Sequence, residues 1–233
     1  MQNTKLHKTE ALYSKQQDKI INMKKRTTHK STQWLSYNKF TLQKVVDLFE
    51  LKTIESDKFF EGIVPQQPSS LLAETLRDNI PLGLAIGTEK AKSELIIMPV
   101  LVEVRRLLHK KISLFSGIEF NVEPRLGLKG VCDFLISKSE EQYVLRAPVI
   151  AIVEAKKGEI ELGMGQCTAE MIAAQKFNAK HNNIVEQIYG TVTTGSNWKF
   201  LKLTNQTLFI QSDETSIEHI DRILGMLVKM ISV

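Results

Sequence analysis

The stretch "PVIAIVEAKKGEIELGMGQCTAEMIAAQ" (148–175) constrains this chain more than any other. An apolar strand-like run (147–156) drives straight into Glu154, Lys156 and Lys157, and a small-residue helix follows from about 163 to 180. Either the strand surfaces there, or those charges are held together for chemistry. Two further strand-like segments come before it, 117–128 and 130–137, and "QIYGTVTTGSNWKFLKL" (187–203) reads as a strand, a Gly-Ser-Asn turn and a returning strand, with 206–211 a last short one. Three consecutive strands followed by a crossover helix imply a mixed sheet flanked by helices, an α/β (α+β) fold.

The helices flank this core in sequence. Leu42, Val45, Val46 and Phe49 share one face of a short helix that Thr41 can cap, and a second short helix is expected around Leu71–Arg77 after the turn "GIVPQQPSS". The longest stretch, 87–111, carries a broad apolar side with Pro99 inside it, so this helix is kinked at Pro99 or restarts there. Glu94 lies four residues before Met98 and seven before Leu101, which places a carboxylate on the buried stripe. The C-terminal helix is expected over about 215–231. The chain thus divides into a basic segment (1–35), a small helical region (36–86) and the main domain (87–233).

Charge separates the first of these from the rest. Residues 1–30 hold eight lysines and arginines against Glu10 and Asp18, while the whole chain of 233 residues has a formal charge of +5. The remainder is therefore close to neutral, and a basic arm on a neutral body is the footprint of a protein that meets a polyanion, or simply a solvated tail. Apolar stretches such as Leu95–Val102 are too short to cross a bilayer, and no secretory signal opens the sequence, so a cytoplasmic protein is expected. Two cysteines, Cys132 and Cys167, suit a reducing compartment.

Glu154 and Lys156 alternate onto one side of their strand, together with Ile150 and Ile152. In the preceding strand Asp133 interrupts "VCDFLI" with a carboxylate that needs a cation, a metal or several donors beside it. If the two strands form a hairpin, Asp133, Glu154 and the main-chain carbonyl of Ala155 make a hard oxygen site suited to Mg²⁺, with Mn²⁺ as a substitute. Lys156 then either activates a water or neutralises charge on a phosphate. Without such convergence, the same residues are a surface salt bridge.

The order helix, three strands, helix, strand, with Asp133 on the second strand and Glu154-Ala-Lys156 on the third, resembles the PD-(D/E)xK nuclease superfamily. The resemblance covers residues 88–203, about half the chain. The residue before Asp133 is Cys132, where the motif has Pro. "TTGSNWKFLKL" is similar to the strand pair that follows the motif in N-terminal nuclease domains of type I restriction subunits. The resemblance implies a restriction endonuclease-like core (αβββαβ) and metal-dependent cleavage of nucleic acid, DNA in the first instance. It also implies that Glu94 is a further acid near the metal and that Gln166 supports catalysis. A protein of this fold that binds nucleic acid or assembles without cutting is the alternative, and a homodimer is an open option.

Other features lead to weaker readings. "LGMGQC" has two glycines but neither a third nor a GxxxxGK, so it is no nucleotide loop, and its glycines serve close approach of helix to sheet. The scattered histidines carry no HxxxH or HExxH, which excludes the common zinc motifs, and GxSxG is absent. Glu170, on the same helix face four residues after Gln166, either assists the metal site or is an ordinary polar position near the helix start, and the second reading is preferred. Arg105, Arg106, Lys110 and Lys111 form a basic helix end that either meets a phosphate backbone or complements the helix C-terminus.

Overall fold

The structure, a computed structural model, describes residues 35–232; the basic segment, with Trp34 and two of the histidines, lies outside the described residues. Within them the chain is mixed α/β. One mixed sheet runs in the order β1-β7-β6-β5-β4-β3-β2, with a two-residue β8 (Thr215–Ser216) pairing β6. Its strands are β1 (Lys52–Glu55), β2 (Ser113–Glu119), β3 (Val131–Ser137), β4 (Val149–Ala155), β5 (Gln187–Thr193), β6 (Asn197–Thr204) and β7 (Thr207–Ile210). The ladders β2–β3–β4 are antiparallel, β4–β5 is parallel, and β5–β6–β7 is antiparallel again. The parallel pair is joined by helix α5 (Glu161–Lys180), the crossover that the strand–helix–strand order required.

Helices cover both faces. On one face α3 (Glu89–Lys92), a π-turn (Ser93–Ile97), α4 (Met98–Leu107) and α6 (Ile220–Ser232) bury Ile97, Val100, Leu101 and Leu227 against Phe134, Ala151 and Val153. On the other, α5 and α1 (Leu42–Phe49) enclose Leu135, Ile152 and Val192 with Cys167, Met171 and Val45. Helix α5 is buried on nearly every side. Its small residues allow this: a Cβ on Gly165 would come within 2.3–2.5 Å of the Phe40–Leu42 backbone, and one on Gly163 would meet Val192 and the stem of Lys156 at 2.6–3.0 Å. Close approach, not phosphate binding, is what these glycines serve.

Several elements differ from their sequence expectation. Helix α2 runs from Ser70 through Pro81 to Ile86, longer than expected, and ends on Gly87 at φ +70°. Pro99 is accommodated by the π-turn just before it, and Asn79 Nδ2 donates to Leu95 O at 2.9 Å, the carbonyl to which Pro99 has no N–H to offer. The first strand of the core is Ser113–Glu119, not 117–128, because Ser113–Ser116 pair with Phe134–Ser137. The residues after it form a loop held by the chain's entry into the fold, where Tyr37 N–H donates to Lys129 O (3.0 Å) and its hydroxyl to Phe120 O (2.6 Å). Within the 36–86 region Lys52–Glu55 is a strand, β1, that extends the sheet by parallel pairing with β7. At the C-terminus, β8 and a 3₁₀ turn (Ile217–His219) precede α6. Ile150 and Ile152, expected on one side of β4, pack into opposite cores, because the β3–β4 register shifts and skips Ile150.

Candidate active site

The charged residues lie where the β3–β4 ladder stops. Its last pair is Phe134–Val153. Beyond that pair the Ala155 N–H donates to Asp133 Oδ2 at 2.9 Å, so a side chain takes the place of the next backbone acceptor. The strand geometry is irregular at this point. Cys132 and Leu135 both pack on the α5 side, although strict alternation separates them. Opposite, in β2, Gly117 sits at φ +63° between the Ser116–Phe134 and Ile118–Cys132 pairs and interrupts that ladder as well. The kink turns Asp133 toward β4, where strand periodicity alone would not send it.

Glu154 and Lys156 follow on the α5 side. Lys156 N–H donates to Thr193 O (2.8 Å), which keeps the chain aligned with β5 past the end of β4. Its Nζ lies 2.5 Å from Glu154 Oε1 and 3.4 Å from Gln166 Oε1, and Gln166 Nε2 donates to Glu170 Oε1 at 3.1 Å. The result is a chain of four side chains, Glu154–Lys156–Gln166–Glu170, from the sheet end into the body of α5. Glu154 is 1% exposed and Glu170 is fully buried. Each keeps one oxygen, Oε2, without a hydrogen-bond partner. From the other face, Lys92 donates to Lys157 O (2.7 Å) and braces the exit of β4.

Burial dominates the electrostatics. It raises Glu154 to about 8, reinforced by the Asp133 carboxylate and opposed by Lys156. Asp133 is also raised by burial, against the Ala155 amide and Lys156. Glu170 is raised well above the ordinary carboxylate range by burial and by Glu154, against the Gln166 amide. For Lys156 burial acts downward, but the charge and hydrogen bond of Glu154, then Glu89 and Asp133, outweigh it, and the net shift is upward. Lys156 is therefore an ammonium at neutral pH, held against the Glu154 carboxylate. The thiols of Cys132 and Cys167 are buried and raised by burial, which suits packing and not nucleophilic attack.

One expectation needs correction. Glu94 is not brought to the carboxylates. Its side chain is 61% exposed and pairs with Lys90 at 2.7 Å, and it lines a surface hollow with Leu71, Met98 and Val102. Glu94, Met98 and Val102 share the partly exposed helix face that lines this hollow, while Leu101 is buried, so Glu94 lies off the buried side. The acid of this helix that acts on the site is Glu89, whose charge adds to the upward shifts of Glu154 and Lys156. The basic residues lie at the opposite end of the same run of helix. Arg105 lies sixteen residues beyond Glu89, about 24 Å at 1.5 Å per residue. There Arg105 donates to Ile112 O, Arg106 pairs with the buried Glu103, and Lys110 and Lys111 are exposed.

Glu89 and Lys92 escaped sequence reasoning, and Glu170 was singled out there but read as an ordinary polar position. Glu170 left a signal like that of Asp133, an acid within an apolar run, "TAEMIAA". Glu89 and Lys92 left none, since charges in the first turn of a helix are commonplace. Among the described residues, no three His, Cys, Asp or Glu side chains form a ready-made metal cage, and no helix is long and apolar enough to cross a membrane. The chain matches no protein-family model, no curated protein and no solved structure.

Proposed function

We propose that this protein is a Mg²⁺-dependent phosphodiesterase that cleaves nucleic acid, DNA in the first instance, on a PD-(D/E)xK-type core. The order α4, β2, β3, β4, α5, β5 supports that core, with Asp133 at the start of its second strand and Glu154 at the end of its third. One observation carries the reading. Glu154 touches the Lys156 ammonium, Asp133 accepts from the Ala155 amide next to it, Glu170 is joined to Lys156 through Gln166, and Glu154 Oε2 is buried without a partner. Such an excess of buried acid is stable only if protons or a cation compensate it.

The donor set fits a hard divalent ion. Asp133 and Glu154 are the carboxylates that would hold it, with the Ala155 carbonyl and waters completing a site of the kind Mg²⁺ prefers over an all-protein cage. Bound there, the ion would supply Lewis-acid activation of water and phosphate. Lys156, protonated at neutral pH, serves as a positive charge for the pentavalent phosphate and not as a base that removes a proton from water. Gln166 holds that ammonium from the helix side. Glu89 stands at the mouth of the same cluster as an additional acid.

One feature favours the alternative, a nuclease-fold protein that binds without cutting. Lys156 closes on Glu154 Oε1 at 2.5 Å, so an oxygen needed for metal is already engaged. Incubation with plasmid and with single-stranded DNA, with and without Mg²⁺ or Mn²⁺, separates the two. Cleavage that needs metal and disappears in both Asp133→Ala and Lys156→Ala supports the enzyme. Tight DNA binding with no cleavage under either metal supports the binding module.

A further inference from the structure

The nuclease reading assigns no task to Glu170, the most deeply buried carboxyl group of the cluster. It sits halfway along α5, fully buried, and its Oε1 accepts from the Gln166 amide one helical turn earlier. A carboxyl group in that position is costly to keep. Replacement by an apolar side chain of similar size would remove the cost, so its presence calls for a role that an apolar side chain lacks.

The geometry supplies one. A primary amide has two ends, and Gln166 can present either its oxygen or its nitrogen to Lys156. Only the oxygen attracts an ammonium. Glu170 Oε1 accepts from Gln166 Nε2, and with the nitrogen held there Gln166 Oε1 must point toward Lys156 Nζ. The helix backbone ensures the spacing, since residues four apart lie one above the other on the same face. Gly163, one turn before, sets the other limit. A Cβ there would meet Lys156 Cγ at 2.9 Å and Cε at 3.0 Å, so the lysine stem lies directly against the helix. Its head then has two acceptors in reach, Glu154 Oε1 and Gln166 Oε1.

We propose that Glu170 is a positioning residue: by fixing the orientation of the Gln166 amide, it holds the Lys156 ammonium in place at the end of β4. Glu170 touches neither substrate nor metal, and acts only through Gln166. The role requires an acceptor, not a charge, so a glutamine at 170 fulfils it and a leucine does not. It also separates two quantities that move together in a merely structural residue. Leucine removes a buried carboxyl with an unpartnered oxygen, which favours the fold, while it releases the amide that orients Lys156.

This inference rests on the nuclease reading for its catalytic consequence but not for its geometric one, and the test reads each separately. Purified wild type, Glu170→Gln and Glu170→Leu are compared for thermal stability, for Mg²⁺-dependent DNA cleavage, and for hydrogen exchange of the Lys156 ammonium by ¹⁵N NMR, assigned through its loss in Lys156→Met. The expected result is a Glu170→Leu protein at least as stable as wild type, whose cleavage falls tenfold or more and whose Lys156 ammonium exchanges at least tenfold faster. Glu170→Gln stays within about threefold of wild type in both, a split that loss of folding cannot produce. If wild type cleaves nothing but the exchange rates differ as expected, the nuclease reading falls and the positioning role stands. Exchange and cleavage unchanged in Glu170→Leu overturn the proposal, as does a Glu170→Gln protein as impaired as Glu170→Leu.

Discussion

Lys156 Nζ lies 2.5 Å from Glu154 Oε1, on a carboxylate that is 1% exposed and whose other oxygen meets no hydrogen-bond donor. The pair is a small dipole at the end of a buried strand, compensated on one side only. Most of what can be tested about the site follows from that asymmetry.

Removing the ammonium leaves the carboxylate buried and alone. Lys156→Met is expected to cost about 3 kcal/mol at pH 8, within the range for breaking a buried pair. The double variant Glu154→Gln/Lys156→Met should recover most of that loss, since neither charge remains. Urea denaturation of wild type, Glu154→Gln, Lys156→Met and the double variant in one buffer gives the coupling energy; additive losses would show that the pair does not interact in solution.

The pH dependence should run opposite to that of an ordinary acid. Glu154 has a folded value of about 8 against 4.5 for a free carboxyl group. Between those values the folded state holds a proton that the unfolded chain has released, so its contribution to stability falls as pH rises and levels off above about 8. Asp133 and Glu170, both raised, act in the same direction. The slope from one such group approaches about 1.4 kcal/mol per pH unit. Denaturation midpoints of wild type and Glu154→Gln between pH 5 and 8 check the sign: the wild type should lose stability relative to the variant as pH increases.

Mg²⁺ should counter that loss. An ion that binds only the folded protein with a Kd near ~1 mM adds about 1.4 kcal/mol at ~10 mM. The effect should grow from pH 6 to pH 8, because the ion and the protons compete for Glu154. Asp133→Asn and Glu154→Gln should show no such gain. Scanning calorimetry with and without MgCl₂ measures it, and equal stabilisation of all three proteins would remove the metal from this site.

The two glycines at the start of α5 should fail in different ways. Gly165→Ala pushes a methyl group into the Phe40–Leu42 backbone, which cannot swing aside, and should cost more than the ~1–3 kcal/mol usual for overpacking. Gly163→Ala meets Val192 and the flexible Lys156 stem, so a larger share of its effect should fall on cleavage and a smaller share on melting temperature. Both quantities measured on both variants decide it.

What the sequence determined by itself was the material of the fold and most of the site. Apolar periodicity marked the strands Val131–Ser137 and Val149–Ala155 and the crossover helix Glu161–Lys180 to within two residues at each end. Asp133, Glu154 and Lys156 stood out because polar groups at or inside apolar runs are expensive, and that expense shows in one dimension, whereas Gln166 was suggested by the resemblance alone. Tertiary structure alone decided which other charges join them. Glu94 shares a helix face with Met98 and Val102 that stays open to solvent and pairs there with Lys90, while Glu89 is the acid of that helix whose charge reaches the cluster. A skipped residue in β4 sent Ile150 and Ile152 to opposite cores. Glu170 was hidden for the same reason. Whether an acid on a helix faces water or a buried amide depends on what packs over it, and here the segment that covers α5 lies more than a hundred residues earlier in the chain.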